Sequence, residues 1–244
     1  MNGKNKLITA CLLLFMILGG VGCSKKTVSD VERIQASGNL RVAIVDTDSQ
    51  YTDSVGEQLV GIEPELAEYI AENLKVQVKY QVCTKKGALD AVAAGEADIA
   101  LGCINRSSSL TGEYLMSTHY GTGHFYAVTK AGDYTLTIGA FKDSVVGVDK
   151  ELDEDTRTKL YQAEGIRVSD YSSYEDGARG VKEGSIRAYI CYENQAKLLL
   201  EDEELQVQNM TNLEPEEFVV VAAKSDVTLI RGINTLIQQF LEKE

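Results

Sequence analysis

Residues 61–82 read GIEPELAEYIAENLKVQVKYQV, a helix pattern followed directly by a strand pattern. Pro64 suits the first helical turn, and acidic residues cluster at that positively polarised end. The apolar residues between Leu66 and Leu74 recur at helical spacing and form one face. Apolar residues then alternate with polar ones over 76–82, which predicts a strand with one buried side.

The patterns on both sides of this stretch extend the series. Residues 40–45 alternate as a strand, and a polar loop follows from Asp46 to residue 53. A short helix pattern covers 88–94, Gly95 ends it, and 99–101 form a further strand. The order strand, helix, strand, helix, strand predicts a mostly parallel sheet covered by helices.

A second series of the same kind lies downstream. Strand patterns occur at 145–148, 166–168 and 188–191, with helix patterns between them. A strand at 218–223 and an amphipathic helix from Leu229 complete the chain, and that helix needs a sheet to cover. The sequence therefore predicts an α/β fold with two lobes.

The N-terminus has the order of a signal peptide. Lysines precede an apolar run at 7–21, which glycines interrupt and which is shorter than the roughly 20 residues of a membrane-spanning helix. Small residues before Cys23 resemble a bacterial lipobox, in which that cysteine is acylated after removal of residues 1–22. Gly20 replaces the usual leucine, so cleavage without a lipid is the alternative.

Charge and cysteine content exclude several classes of protein. The chain has a net charge of −13, and removal of residues 1–22 deletes two lysines and no acids, which leaves −15. This charge argues against nucleic acid or an anionic membrane surface as a partner. The later cysteines, Cys83, Cys103 and Cys191, are odd in number and widely spaced, so neither a disulfide framework nor a zinc site is expected.

Several ordered runs together resemble a known family. They are GNLRVA at 38–43, GIEPELA at 61–67, GEADIALG at 95–102, VGV at 146–148, the glycine-to-alanine run at 184–188 and an apolar strand ending at Lys224. Their order and separations resemble the extracytoplasmic solute-binding proteins of family 3, the polar amino-acid receptors of ABC importers. The resemblance covers residues 38–244.

The resemblance implies a two-lobed fold of the type II periplasmic-binding-protein kind, each lobe a mostly parallel sheet flanked by helices. Lobe 1 would hold 38–124 and 218–244, and lobe 2 would hold 125–217. Crossing strands near 125–129 and 218–222 would form the hinge, and 23–37 would be a tether carrying the lipid on Cys23.

The same resemblance implies a monomeric, extracytoplasmic binding subunit that is not an enzyme and needs no cofactor. Its partners would be a small polar solute, the ABC permease and the membrane through the lipid. Loops at the carboxyl ends of parallel strands converge in such an interlobe cleft and bind the solute from both sides.

The family's T-x-T-x-x-R pattern, whose hydroxyls and arginine bind the ligand's α-carboxylate, is altered here. It aligns with 105–110, where Leu110 occupies the arginine position. Asn105 and Ser107 keep polar side chains at the two hydroxyl positions. Arg106 either supplies the positive charge from an adjacent position or is a solvated loop residue.

The anchors that the resemblance implies in lobe 2 are also displaced. Acids at 149–153 replace the usual glycine and hydroxyl residue and would repel an anion. Asp153 either faces the ligand or caps a helix. The aspartate that binds the amino group falls at Tyr192, with Glu193 beside it as a possible substitute.

Further candidates lie in the loops after the lobe 1 strands. Asp46 ends the first strand and either binds a ligand cation or caps the loop. Tyr51 lies where the family has an aromatic contact, with exposure in the loop as the alternative. Cys103 is expected to line the cleft without acting as a nucleophile.

Three other functions remain open at this point, and one of them is a bare adhesion or scaffold role. Cyclohexadienyl dehydratases resemble this fold, and Glu193 would be the general acid in an enzyme of that kind. A metal-binding receptor would use His119, His124 and Cys103. The alignment places His119 in an aromatic pair before the crossing strand, which favours packing over ligation.

Overall fold

A computed structural model describes residues 29–47, 49–135, 137–150, 152 and 154–243. The predictions for the signal peptide at 1–22, for Cys23 and for Asp153 concern residues outside these ranges. None of the helices in the described part has both the length and the apolar character needed to cross a membrane.

Helices and strands alternate along most of the chain, as the sequence patterns predict. The helices are α1 (Asp30–Ser37), α2 (Ile62–Leu74), α3 (Lys85–Ala93), α4 (Ser108–Thr111), α5 (Glu154–Gln162), α6 (Tyr174–Glu183), α7 (Glu193–Lys197) and α8 (Val227–Leu241). The strands are β1 (Asn39–Ile44), β2 (Asp53–Val55), β3 (Gln58–Val60), β4 (Gln77–Val82), β5 (Ile99–Leu101), β6 (Tyr114–Gly123), β7 (Phe125–Lys130), β8 (Val145–Asp149), β9 (Arg167–Tyr171), β10 (Ala188–Tyr192), β11 (Leu205–Asn209) and β12 (Glu216–Ala223).

The first five-stranded sheet has the order β4-β1-β5-β12-β6. β1, β4 and β5 are parallel, whereas β12 runs antiparallel to β5 and β6. Leu40, Val42 and Ile44 of β1 point into a core with α1, α2 and α8, whereas Ala43 points to α3 on the other face. This sheet and these helices are called lobe 1 below.

The second five-stranded sheet has the order β11-β7-β10-β8-β9. β8, β9 and β10 are parallel, and β7 is antiparallel to β10 and β11. Leu160 of α5 packs on one face, and Val181 of α6 and Ala196 of α7 pack on the other. This sheet and these helices are called lobe 2 below.

The chain passes between the two sheets at two places. It leaves lobe 1 at the end of β6 and enters lobe 2 at Phe125, and it returns between β11 and β12. Glu216 already pairs with Gly123 in the lobe 1 sheet, two residues before the strand start that the sequence indicates. Both passages lie at the same edge of lobe 1, because Glu216 and Gly123 are partners.

Part of the segment interpreted as a tether is folded. Residues 30–37 form α1, whose N-terminus is closed by a capping box of Ser29 and Glu32. Ile34 is fully buried in the lobe 1 core. The sequence pattern did not predict this helix, because a single core residue in eight gives no clear period. The prediction of a tether over 23–37 therefore needs correction for this part.

Candidate functional site

A cavity of about 760 Å³ lies between the lobes, at the carboxyl ends of β1, β5 and β10. We call it the interlobe cavity. Such a position is the usual ligand site of parallel α/β sheets. Lobe 1 lines it with Val45, Asp46, Thr47, Ser49, Gln50, Tyr51, Val82, Cys83, Thr84, Lys85, Gly102, Cys103, Thr122, Gly123, Glu216 and Phe218, and lobe 2 with Tyr192, Glu193, Asn194, Gln195 and Lys197.

The loop after β5 forms one wall of the cavity and is hydrogen-bonded to the buried carboxylate of Glu63. This carboxylate has no exposed surface. Its Oε1 accepts hydrogen bonds from the backbone N–H groups of Gly102 at 3.0 Å and Cys103 at 2.7 Å, and from the hydroxyl of Tyr120. The hydroxyl of Thr52 donates to its Oε2. Burial raises the pKa of Glu63, and these four donors act in the opposite direction.

The same loop has a backbone that few side chains tolerate. Gly102 has a φ of +131°, and a Cβ there would lie 2.3 Å from the Cβ of Val45. Cys103 is a non-glycine residue with a φ of +48°. Left-handed conformations of this kind persist when surrounding contacts hold them, and the Glu63 hydrogen bonds are such contacts.

Aromatic side chains form the part of the cavity nearest the crossing strands. The ring of Tyr51 packs edge-to-face on Phe218, with 5.0 Å between the ring centroids. The hydroxyl of Tyr51 donates to the backbone oxygen of Thr122 at 3.0 Å. Gly121 leaves room for this ring, because a Cβ there would lie 2.6 Å from Cε1 of Tyr51. This surface suits the apolar stem of a solute.

The wall from lobe 2 connects directly to lobe 1. The hydroxyl of Tyr192 donates to Oε1 of Glu216 at 3.1 Å, and Nδ2 of Asn194 donates to the backbone oxygen of Thr47 at 3.2 Å. These contacts join the lobes at the rim of the cavity. Closure around a solute would therefore be supported by polar contacts that also exclude water.

Charged side chains of both signs line the cavity. The acids are Asp46, Glu193 and Glu216, and the bases are Lys85 and Lys197, which gives a net charge of −1 among the described lining residues. Glu193 and Lys197 form an ion pair at 2.9 Å. The arrangement suits a solute that carries both signs and an overall positive charge.

Five of the residues selected from the sequence line the interlobe cavity. They are Asp46, Tyr51, Cys103, Tyr192 and Glu193. Burial raises the pKa of the Cys103 thiol well above its ordinary value, and the nearby Glu63 charge adds to this effect. The thiol is therefore protonated at neutral pH, as expected of a residue without a nucleophilic role.

The structure does not place the other three described candidates at the cavity. Nε of Arg106 pairs with Glu217 at 2.8 Å, and its Nη2 donates to the backbone oxygen of Ser117 at 2.6 Å. Ser107 bonds to a neighbouring serine hydroxyl on the surface. Asn105 forms a bridge to Phe218 beside β12. Arg106 and Ser107 border a separate, more open depression beside α4.

The acid that follows the VGV run also has a structural role. Asp149 is almost fully buried and accepts hydrogen bonds from Tyr189 at 3.0 Å and from Nε2 of Gln195 at 2.6 Å. It is absent from the cavity lining. The expected repulsion of an anion by this residue is therefore weakened, because two donors already surround its charge.

The residues proposed for a metal site are not brought together. His119 lies on the outer side of β6, with Nδ1 at 3.9 Å from Glu217. Within the ranges that the structure describes, no cluster of three or more His, Cys, Asp or Glu side chains is placed to hold a metal ion.

Sequence reasoning missed Lys85 and Glu216 as cavity residues. Lys85 follows the helix cap Thr84, and nothing local shows that its side chain turns toward the cavity while that of Lys86 is exposed. The alternation of β12 was a usable signal for Glu216, because it lies on the same side of the strand as buried Phe218.

A sequence profile of the bacterial extracellular solute-binding proteins, family 3, matches residues 40–244. A probable ABC transporter extracellular-binding protein, YckB of Bacillus subtilis (strain 168), is 27% identical over 142 residues. That match covers 54% of this chain and 49% of the relative, so the chain matches about half the length of that protein.

Solved structures share the fold at low sequence identity. The substrate-binding protein AbpA from Streptococcus pneumoniae Canada MDR_19A, bound to L-arginine, aligns with a TM-score of 0.69 and 21% identity over 87% of this chain and 92% of that one. Truncated, arginine-bound ArgBP from T. maritima aligns with a TM-score of 0.66 and 19% identity, over 85% of this chain and 99% of that one. The two-lobed α/β expectation is thereby confirmed. With a profile match over residues 40–244, the chain belongs to the bacterial extracellular solute-binding proteins, family 3.

Proposed function

We propose that this chain is the extracytoplasmic binding subunit of an ABC importer and that it delivers a cationic amino acid or a closely related compound. The single observation that carries the choice of solute is the charge of the interlobe cavity, where acids outnumber bases by one among the lining residues that the structure describes. A solute with one net positive charge, such as L-arginine or L-lysine, matches that charge.

The similarity to known proteins supports the same class of solute. The curated Bacillus relative is described as a binding protein of an ABC transporter. AbpA and ArgBP, whose folds this chain shares, contain arginine in their structures. The permease of the importer is accordingly proposed as the protein partner.

The cavity is proposed to bind its solute without chemical turnover. Glu193, the acid that a dehydratase-like enzyme would use, is paired with Lys197 at 2.9 Å. This ion pair engages the carboxylate that such an enzyme would need free to contact its substrate. If the purified protein converted a cyclic dienol acid into a product, this part of the proposal would be contradicted.

Binding of L-arginine is expected to depend on Glu216. This carboxylate is 7% exposed, lines the cavity and accepts from Tyr192. In Glu216→Gln the amide keeps the size and the acceptor for Tyr192 but loses the charge. Loss of one charge-assisted hydrogen bond should raise the Kd for L-arginine about 10- to 100-fold by calorimetry.

Glu217→Gln is the matched control, because it removes the same charge from the adjacent residue of β12. Glu217 faces away from the cavity, toward Arg106. We expect its Kd to stay within about twofold of the wild type, since exposed charges are screened. Equal effects of both substitutions would show a long-range charge effect, and a wild type that binds neither arginine nor lysine would refute the proposed solute class.

The lipid anchor on Cys23 is also proposed, on the basis of the lipobox-like residues before it. Wild-type protein produced in a bacterial host should fractionate with membranes and incorporate labelled palmitate. Cys23→Ser should do neither, because the acceptor sulfur is gone. Cys11→Ser, within the apolar run, is the control and should behave as the wild type. Membrane association of Cys23→Ser would contradict the anchor.

A further inference from the structure

One lysine at the interlobe cavity has no ion-pair partner among the residues that the structure describes. Lys85 and Lys197 are the basic residues among the described lining residues. Lys197 forms an ion pair with Glu193 at 2.9 Å, one helical turn away. Lys85 forms no ion pair with any residue in the part of the chain that the structure describes.

Lys85 lines the interlobe cavity from the start of α3. It is the first residue of α3, immediately after Thr84, whose hydroxyl accepts from the N–H of Gly87 at 3.2 Å and so begins the helix. Lys85 is half-buried at the cavity, whereas the next residue, Lys86, is exposed and pairs with Asp90 at 2.6 Å on the outer surface. The two adjacent lysines therefore lie in different environments.

Lys85 and the loop after β5 border the same interlobe cavity. Burial raises the pKa of the Cys103 thiol, and the positive charge of Lys85 acts in the opposite direction. The acids Glu216 and Asp46 border the same space, so both signs of charge face the solute.

The arginine selected from the sequence is unavailable for an anion in the cavity. Arg106 is engaged by Glu217 and by the backbone oxygen of Ser117 and borders a different depression. Without Lys85, a solute carboxylate in the interlobe cavity would lose its hydration and meet no unpaired cation among the described lining residues. Such desolvation of a charge is costly.

We propose that Lys85 is the residue that binds the carboxylate of the solute and thereby sets the preference for acids over their neutral amides. This inference rests on the proposed function, because it assigns one contact of the same cavity. Lys85 donates up to three hydrogen bonds from a flexible stem, which suits a carboxylate that approaches along the wall of α3.

The test compares L-arginine with L-argininamide, which lacks the carboxylate charge, by calorimetry. Wild-type protein should bind L-arginine about 10- to 100-fold more tightly than the amide, the range of one charge-assisted hydrogen bond. Lys85→Gln should bring the ratio of the two Kd values close to one. Lys86→Gln should leave the ratio unchanged, because Lys86 faces away from the cavity.

Lys197→Gln controls for charge alone, because it makes the cavity more negative by the same amount. In this variant the ratio of the Kd for L-argininamide to the Kd for L-arginine should fall only a few-fold, since Lys197 is already paired with Glu193. The assignment of Lys85 would be overturned if the ratio of the two Kd values fell equally in Lys85→Gln and Lys197→Gln, or if it did not change in Lys85→Gln. Neither result would contradict the proposed receptor function. Equal binding of acid and amide by the wild type would likewise overturn the assignment and leave the receptor function standing. Binding of neither compound would overturn both the solute class and the assignment.

Discussion

Replacing Glu63 with alanine is expected to lower the free energy of unfolding by about 3–5 kcal/mol, the largest effect we predict for a single site. The substitution leaves four buried donors without their acceptor: the N–H groups of Gly102 and Cys103 and the hydroxyls of Thr52 and Tyr120. Unsatisfied buried donors cost about 1–3 kcal/mol each, and water entering the new space would recover part of this.

The loss should also reach the solute site, because Gly102 and Cys103 border the interlobe cavity. Chemical denaturation gives the stability, and calorimetry with L-arginine gives the affinity, which should fall in the same variant. Glu65→Ala is the control: Glu65 belongs to the same helix but is exposed, so we expect a change of about 0.5 kcal/mol or less. A Glu63→Ala variant as stable as Glu65→Ala would show that the loop does not depend on this carboxylate.

Replacing Asp98 with asparagine is expected to cost about 2–4 kcal/mol. Asp98 is 1% exposed and joins the segment before β5 to α1 and β1, its partners Arg33 and Arg41 lying 65 and 57 positions earlier in the chain. Its Oδ1 accepts from Arg33 of α1 at 2.6 Å and from Arg41 of β1 at 2.7 Å, and its Oδ2 accepts from the backbone N–H of Arg41 at 2.9 Å. Both arginines are partly exposed, so the cost falls below that of a fully buried pair.

The effect of Asp98→Asn should depend on pH. Burial acts to raise the pKa of Asp98, but the hydrogen bonds from Arg41 and Arg33 outweigh it and hold the pKa below its ordinary value. A carboxylate with a depressed pKa in the folded state contributes its full stability above the unfolded pKa of about 4. That contribution is lost as the pH falls through the folded pKa. The free energies of unfolding of wild type and variant should therefore converge as the pH falls below the unfolded pKa and through the lower, folded one.

Asp90→Asn is the matched control for Asp98→Asn. Asp90 lies on the exposed side of α3 and pairs only with Lys86 at the surface among the described residues, an arrangement that contributes little to stability. A difference between Asp98→Asn and the wild type that persists unchanged at low pH would mean that packing, and not the charge of Asp98, provides the stability.

The contacts of Arg33 with Asp98 and Asp226 connect the two ends of the lobe 1 chain. α1 contributes a single fully buried residue, Ile34, and polar contacts add to its attachment, among them that of Arg33 with Asp98. Arg33 also approaches Asp226 at 3.4 Å, at the start of α8. A helix that the sequence assigned to a tether is thus tied to both the sheet and the terminal helix.

Much of the fold follows from short-range patterns. The apolar spacing of α2, the alternation of β1 and β4 and the glycines that end the patterns of α3 and α6 are properties of neighbouring residues, and they agree with the structure. Gly95 and Gly184 both adopt positive φ values, +71° and +78°, where the helix patterns end. The displaced family anchors were also visible in the sequence, since Leu110 stands in place of an arginine.

The composition of the site was less predictable, because it depends on contacts between residues far apart in the chain. Arg106 is held by Glu217, which lies 111 positions later, and no local pattern reveals that pairing. Glu216 and Glu217 are chemically alike and adjacent, yet the pleat of β12 turns one to the cavity and the other to Arg106.

The sequence by itself determined the two α/β series, their order and the family, since helix and strand periods depend on side chains a few residues apart. Only the tertiary structure decided which charges meet in the interlobe cavity. The direction of a side chain at a strand end or in the first turn of a helix is set by the elements that pack around it. For this reason Lys85 and Glu216 enter the site, and Arg106 remains outside it.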